Sequence, residues 1–140
     1  MTPVILKQTK IIDPTSPFHQ QIMDLKIEQG VITQIEKEIK ATPDCEVVEI
    51  ENLHISQGWM DSSVSFGEPG YEDRETIENG LKVAAKSGFT AVLLQPNSNP
   101  IIDNQSQIRF VIDKAKGNAT TLYPIGALTK GSEGNELAEL

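Results

Sequence analysis

The chain has 140 residues, which suits one domain or a small domain followed by part of another. Its formal net charge of −8 at pH 7, without any run of basic residues, excludes nucleic acid and anionic membrane surfaces as expected partners. No apolar stretch approaches the length of a membrane-spanning helix. Cys45 is the only cysteine, so no internal disulfide can form, and a reducing, cytoplasmic location is expected.

Residues 1–54 predict a small antiparallel β domain. The candidate strands are residues 4–12, 23–28, 31–35 and 47–50. Asp13-Pro14 breaks the chain after the first strand, and Gly30 lies in a turn between two β-rich runs, a pattern typical of a hairpin. This unit offers no recognisable chemistry, and His19 within it is interpreted as a surface or packing histidine.

From residue 55 the pattern changes to strands that alternate with helices. The candidate strands are residues 55–64, 89–94 and 121–127, and the candidate helices are residues 76–87 and 106–116. A glycine follows each predicted helix, Gly88 or Gly117, at the position where it would end the helix. Strand–helix–strand order predicts parallel strands with right-handed crossovers. We therefore predict an α/β fold in which residues 55–140 form the first part of a TIM-like (β/α) barrel.

This predicted barrel is incomplete. A complete eight-stranded barrel needs roughly 250 residues, whereas only about three strands fit here. The last segment, residues 134–140, predicts the start of another helix. These two observations together predict a fragment, or the first third of a longer protein.

The loop after the first barrel strand is where chemistry is expected, because active sites of such barrels lie at the C-terminal ends of the strands. Ser63 and Ser65 lie there, and residues two apart on a regular strand point to the same face. Hydroxyl groups are poor zinc ligands beside thiolate, imidazole and carboxylate, so the spacing alone favours two small polar residues. A nucleophilic serine would need an adjacent base and an oxyanion hole, which the neighbouring sequence does not supply. His54 precedes the strand and is interpreted, like His19, as a surface or packing residue.

Residues 58–70 read Gly-Trp-Met-Asp-Ser-Ser-Val-Ser-Phe-Gly-Glu-Pro-Gly. This run resembles the opening of the barrel in the dihydroorotase family of the amidohydrolase superfamily, where it reads Asp-x-His-x-His-x-Arg-Glu-Pro-Gly. The resemblance continues through residues 71–90, the Pro-Asn segment at 95–100 and residues 123–131. The N-terminal unit, with Ile12-Asp13-Pro14, is similar to the small accessory domain of these enzymes.

The resemblance implies what has changed in this chain. Ser63 and Ser65 stand at the two metal-binding histidine positions, and Gly67 stands at the position of a carboxylate-binding arginine. Asn97 matches the asparagine that binds the substrate carboxylate together with that arginine, and so is a vestigial substrate-binding candidate. No catalytic residue, metal or other cofactor is predicted in this chain, although active family members use zinc. The remaining family ligands and the catalytic aspartate fall beyond Leu140.

Family members interconvert dihydroorotate and carbamoyl aspartate in pyrimidine biosynthesis. This chain resembles the family's non-catalytic, metal-site-deficient members, which serve as structural partners of aspartate transcarbamoylase. The resemblance therefore implies a pseudoenzyme with impaired catalysis, and either aspartate transcarbamoylase or another copy of the chain as partner.

Two alternatives to the pseudoenzyme stay open. One is a working cyclic amidohydrolase, a dihydroorotase, that uses metal ligands beyond Leu140. The other is a small-molecule binding module that kept the pocket and lost the reaction. The resemblance also predicts that Ser63→His, Ser65→His and Gly67→Arg together would increase zinc binding.

Overall fold

The computed structural model describes residues 2–140 and divides the chain into two compact units, one up to Gln57 and one from Gly58 onward. The first unit contains β1 (Val4–Ile12), β2 (Ile22–Glu28), β3 (Val31–Glu36), β4 (Glu46–Glu49) and β5 (His54–Ser56). The second contains β6 (Trp59–Val64), α1 (Ile77–Lys86), β7 (Phe89–Leu94), α2 (Gln105–Ala115), β8 (Thr121–Pro124) and a 3-10 turn (Lys130–Ser132). Between residues 2 and 140, neither the length nor the apolar character of any helix suffices to cross a membrane.

The first unit is one five-stranded sheet in the order β3-β2-β1-β4, with β5 pairing farther along β1. The strand predictions are confirmed, including the hairpin in which Gly30 has a φ of +79°. The prediction of a purely antiparallel unit is wrong, because β4 and β5 both pair with β1 in parallel. A strand's own pattern of side chains does not specify which neighbour it will pair with, so this pairing was not readable from sequence.

The buried carboxylate of Asp24, in β2, connects three segments of the first unit. Asp24 is 2% exposed and accepts hydrogen bonds of 2.9 Å from the backbone N–H groups of Gln8 and Ile39. The ammonium of Lys7 also binds this carboxylate and donates to the carbonyl of Ile39 at 3.0 Å. The carboxylate therefore joins β1, β2 and the segment that follows β3.

The second unit is a parallel three-stranded sheet in the order β6-β7-β8, with α1 and α2 packed against it. Its core contains the buried side chains Phe66, Ile77, Leu81, Val92, Leu94, Ile102, Val111 and Leu122. The helices begin where side-chain oxygens of Thr76 and Asn104 accept backbone N–H bonds, as N-caps do. Gly88 and Gly117 follow the helices with φ of +87° and +81°, so both helix predictions are confirmed.

The single strand predicted at 55–64 is two strands in two different sheets. Ile55 in β5 pairs with Ile11 of the first unit, whereas Trp59 begins β6 in the second. The division of the chain accordingly falls after Gln57 rather than after His54. The apolar pattern on both sides of Gln57-Gly58 is compatible with one continuous strand, and only the pairing partners separate the two.

The helix predicted to start within residues 134–140 is also not formed. Leu137 instead makes an antiparallel bridge with Thr129, and Glu139 makes a parallel bridge with Asn104. Backbone hydrogen bonds from Lys130 to Glu136 and from Ala138 to Leu128 hold the segment extended. Pairing with earlier residues therefore overrides the weak helical tendency of this stretch.

Candidate functional site

The C-terminal ends of the three parallel strands meet at one edge of the sheet. Val64 pairs with Leu94, and Leu94 pairs with Pro124. The ladder continues one residue further, because the N–H of Gln95 donates to Val64 and that of Ile125 donates to Leu94. The loops at 65–76 and 95–104 therefore start side by side, which is the edge where parallel α/β folds place their sites.

Two of the residues singled out from sequence touch each other at this edge. The side-chain amide of Asn97 donates to the hydroxyl oxygen of Ser65 over 2.9 Å, and the Ser65 hydroxyl lies 3.1 Å from the amide oxygen. Both side chains are exposed. The contact joins residues 32 positions apart and leaves a neutral hydroxyl–amide pair at the position expected for a metal ligand.

Ser63 lies in an irregular part of β6. The register passes from Asp61 opposite Val92 to Val64 opposite Leu94, so three steps on β6 face two on β7. Such a bulge re-aims the side chains within it. The backbone N–H of Ser63 donates to the Asp61 carboxylate at 2.9 Å. The regular strand assumed for placing Ser63 and Ser65 on one face is therefore not present, and in the described chain Ser63 has no hydrogen bond to Ser65.

Gly67 lies in a backbone conformation that a side chain would strain. Its φ is +122°, and a Cβ built on it would lie 2.6 Å from the carbonyl oxygen of Tyr71 and 3.3 Å from that of Glu75. Gly67 is buried, and its own carbonyl accepts the N–H of Tyr71 at 2.9 Å. An arginine restored here would be strained in this loop, because the two nearest atoms are backbone carbonyl oxygens.

Glu68 was not singled out from sequence, yet it is the most constrained carboxylate near the site. Its side chain is 8% exposed, and one oxygen accepts the N–H of Ile77, the first residue of α1, at 2.9 Å. The other oxygen lies 3.0 Å from the ammonium of Lys114 on α2. This hydrogen bond, together with the charge of Glu68, raises the pKa of Lys114 above its ordinary value. No local sequence signal marks this role, because Glu68 lies nine residues before Ile77.

The two strand-end loops meet at a second point. The backbone N–H of Asn99 donates to the carbonyl of Pro69 at 2.9 Å. Gly70 lies so close that a Cβ on it would be 1.9 Å from the carbonyl oxygen of Asn99. Its φ of +96° also favours glycine. The loop after β6 is thus packed directly against the loop after β7.

The side chains at this edge do not fit a zinc centre. Zinc in proteins is bound by thiolate, imidazole and carboxylate, whereas Ser63, Ser65 and Asn97 offer only neutral oxygens and an amide. Asp61 is the carboxylate adjacent to them, and it accepts the backbone N–H of Ser63. Throughout residues 2–140, no three His, Cys, Asp or Glu side chains converge as metal ligands do.

The two histidines belong to the first unit. His19 accepts the backbone N–H of Asp13 at 3.1 Å through Nδ1. The Nδ1 atom of His54 lies 2.6 Å from the carbonyl oxygen of Asn52. Both rings therefore contact backbone groups of nearby turns.

Solved structures share the fold of this chain. The L-hydantoinase (dihydropyrimidinase) from Arthrobacter aurescens aligns with a TM-score of 0.76 at 16% identity, over 96% of this chain and 29% of that one. The D-hydantoinase from a Thermus species gives 0.69 at 22% identity, over 95% and 29%. A dihydroorotase crystal structure gives 0.62 at 15% identity, over 94% and 32%. The prediction of an α/β fold containing the first part of a TIM-like (β/α) barrel is confirmed.

Sequence similarity to curated proteins covers nearly the whole chain. The dihydroorotase of Ruminiclostridium cellulolyticum is 36% identical over 138 residues, which are 98% of this chain and 32% of that protein. The dihydroorotase of Acetivibrio thermocellus is 35% identical over the same shares. The chain thus spans about a third of the length of these curated relatives. The family described as "Dihydro-orotase-like" matches residues 54–140, and the chain belongs to this dihydroorotase-like family.

Proposed function

We propose that this chain is part of a dihydroorotase-like protein of pyrimidine biosynthesis that has lost its catalytic metal centre and acts through binding a partner. The observation that carries the proposal is the hydrogen-bonded pair of Ser65 and Asn97. The resemblance places a metal-binding histidine at position 65, and here a serine hydroxyl binds a neighbouring side chain instead.

The chemistry explains why this change matters. Hydrolysis of a cyclic amide needs an activated water molecule and a polarised carbonyl, which a bound metal supplies in this family. Imidazole holds zinc well, whereas a neutral hydroxyl does not. With serines at positions 63 and 65, the first barrel strand supplies neither of its two ligands. The conformation of Gly67 supports the same conclusion, because its positive φ and the nearby carbonyl of Tyr71 disfavour any side chain at the position of the carboxylate-binding arginine.

The proposed partner is aspartate transcarbamoylase or a second copy of the same protein, in the cytoplasm. The resemblance to non-catalytic family members supports the first partner, and the lone Cys45 is in keeping with a reducing compartment. Sedimentation of the full-length protein, alone and with aspartate transcarbamoylase from the same organism, tests this part. A protein that sediments as a monomer in both samples contradicts it.

Catalytic loss is tested by assaying the full-length protein, loaded with zinc, for interconversion of dihydroorotate and carbamoyl aspartate. The dihydroorotase of Ruminiclostridium cellulolyticum is a suitable positive control, since it is 36% identical over this region. We expect no turnover above the zinc-only blank. Turnover at ordinary enzyme rates, about 1 s⁻¹ or more, would overturn the proposal.

A working cyclic amidohydrolase is the second candidate. It is favoured by the sequence similarity to the dihydroorotases of Ruminiclostridium cellulolyticum and Acetivibrio thermocellus. The same assay decides between the two candidates. If turnover is absent but dihydroorotate raises the melting temperature, a small-molecule binding module is supported instead.

A further inference from the structure

The loops after β6 and β7 are joined at two separate points. At the strand ends, the amide of Asn97 donates to the hydroxyl of Ser65 over 2.9 Å. Farther along both loops, the N–H of Asn99 donates to the carbonyl of Pro69 at the same distance. The contacts are not in register, since the four steps from 65 to 69 on one loop face the two steps from 97 to 99 on the other.

At the second point the two loops are closely packed as well as hydrogen-bonded. Gly70 approaches the carbonyl of Asn99 so closely that any Cβ there would overlap it. On the far side of the same loop, the buried carboxylate of Glu68 binds the N–H of Ile77. The loop after β6 is therefore held between the start of α1 and the loop after β7.

The first point uses the groups with which Asn97 would bind a ligand. A side-chain amide offers two N–H donors and one carbonyl acceptor. The Ser65 hydroxyl lies within hydrogen-bonding distance of both ends of that amide, 2.9 Å from the nitrogen and 3.1 Å from the oxygen. The hydroxyl therefore occupies one of the two N–H donors and contacts the acceptor, which leaves a carboxylate ligand at most one N–H of Asn97.

We infer that Ser65, Asn97, Pro69 and Asn99 form a metal-independent clasp that holds the first two strand-end loops together, with Asn97 acting as a positioning residue rather than as a carboxylate ligand. The inference rests on the proposed function, because it assigns a role to the residues at the position of the lost metal centre. A metal centre ties neighbouring strand ends through its ligands, and here a hydroxyl–amide bond does so without one.

Hydrogen exchange at the backbone N–H of Asn99 tests the clasp in the full-length protein. Ser65→Ala and Asn97→Ala each remove one partner of the first contact, and we expect each to speed this exchange about fivefold, the effect of losing one ordinary hydrogen bond. The double variant is expected to match the single variants rather than multiply their effects, because the two side chains act as one unit. Ser65→Thr keeps the hydroxyl and is expected to keep the parental rate.

Ser62→Ala is the matched control, because Ser62 is an exposed neighbour whose side chain has no hydrogen bond in the described chain. The side-chain amide resonance of Asn97 in nuclear magnetic resonance spectra gives a second readout that global stability does not move. We expect it to shift in Ser65→Ala and to stay in place in Ser62→Ala. An unshifted resonance in Ser65→Ala, or multiplicative exchange effects in the double variant, would overturn the clasp.

Chelation separates this inference from the proposed function. We expect exchange at Asn99 to be equal before and after dialysis against a zinc chelator. Faster exchange after dialysis would show that metal holds the loops, and would overturn the metal-independent clasp. Enzymatic turnover with an intact clasp would overturn only the proposed function, so the two failures are distinguishable.

Discussion

Glu68 and Lys114 form an ion pair of 3.0 Å in which the carboxylate is almost fully buried and the ammonium is half exposed. The same carboxylate accepts the N–H of Ile77, a residue with no exposed surface. One side chain therefore ties the loop after β6 to the start of one helix and to the last turns of another. The two partners differ in their access to solvent. Water can solvate the ammonium of Lys114 when the pair is broken, whereas it barely reaches the carboxylate of Glu68.

Glu68→Ala is expected to lower the free energy of unfolding by about 2 kcal/mol, since it leaves the buried N–H of Ile77 without an acceptor. Lys114→Met is expected to have a smaller effect, because Glu68 keeps its hydrogen bond from Ile77 and an ion pair with a half-exposed ammonium contributes little. Urea unfolding of both variants measures the difference. Equal losses would mean that the ion pair, rather than the helix N–H bond, carries the stabilisation.

The lowered pKa of Asp24 predicts that the first unit becomes less stable at acid pH. Burial raises the pKa of Asp24, but hydrogen bonds from Lys7, Gln8 and Ile39 outweigh burial and hold it below the ordinary value of 3.8. A carboxyl with a lowered pKa in the folded state stabilises above its ordinary pKa, and this contribution is lost as pH falls through the folded value. We expect the free energy of unfolding to fall as pH drops below 3.8, the ordinary pKa, and Asp24→Asn to flatten the curve. A variant curve parallel to the parental one would contradict the assignment.

Zinc content tests the metal positions directly. Purified protein is expected to carry well under one zinc per chain after dialysis. Ser63→His with Ser65→His should bind more, because it adds two imidazoles beside the carboxylate of Asp61. Gly67 is left unchanged because its backbone does not accept a side chain. Elemental analysis of the parent, both single variants and the double variant measures the gain. If the double variant folds but binds no more zinc than the parent, these residues do not lie at a metal position.

Little turnover is expected even from that zinc-binding variant. Ligands placed about 1 Å loosely fail when the surrounding shell does not hold them, and the bulge at Ser63 is such a disturbance. Dihydroorotate hydrolysis by the double variant checks this, with the parent as the blank.

Gly67→Ala is expected to destabilise the protein by about 2 kcal/mol or more, through both the strained φ and the overlap with the carbonyl of Tyr71. Gly30→Ala is the matched control, because Gly30 also has a positive φ but no atom lies within 4 Å of the place its added methyl group would take. The control should lose about 1 kcal/mol. Thermal melts of the two variants compare them, and equal losses would show that the strain at Gly67 is purely conformational.

The chain of 140 residues, produced alone, is expected to self-associate. Strands β6 and β8 are open edges of a parallel sheet, and Trp59, Met60 and Tyr123 on them are 64%, 61% and 54% exposed. Unpaired strand edges beside apolar side chains are templates for association. Sedimentation over a range of concentrations measures this, with Met60→Lys as a variant expected to reduce it. A monomer with one sharp cooperative melt would contradict the expectation.

Local signals account for what was predictable. The glycines Gly88 and Gly117 mark the C-terminal ends of α1 and α2 to within about two residues, because helix termination involves atoms close in sequence. The β-rich runs and the turn at Gly30 likewise located the strands. The residues that occupy the family's metal and carboxylate positions, Ser63, Ser65, Gly67 and Asn97, could be named because they lie within recognisable motifs.

The tertiary structure alone decided which distant groups meet. Parallel pairing of β4 and β5 with β1, the bridges of residues 137 and 139, and the contact of Ser65 with Asn97 all join segments that are separated in sequence. The physical reason is that such contacts gain their free energy from packing of the whole sheet and its loops, to which a local pattern contributes little. For the same reason Gly67 was interpreted as a lost arginine, when its conformation and the carbonyl of Tyr71 also require a residue without a side chain.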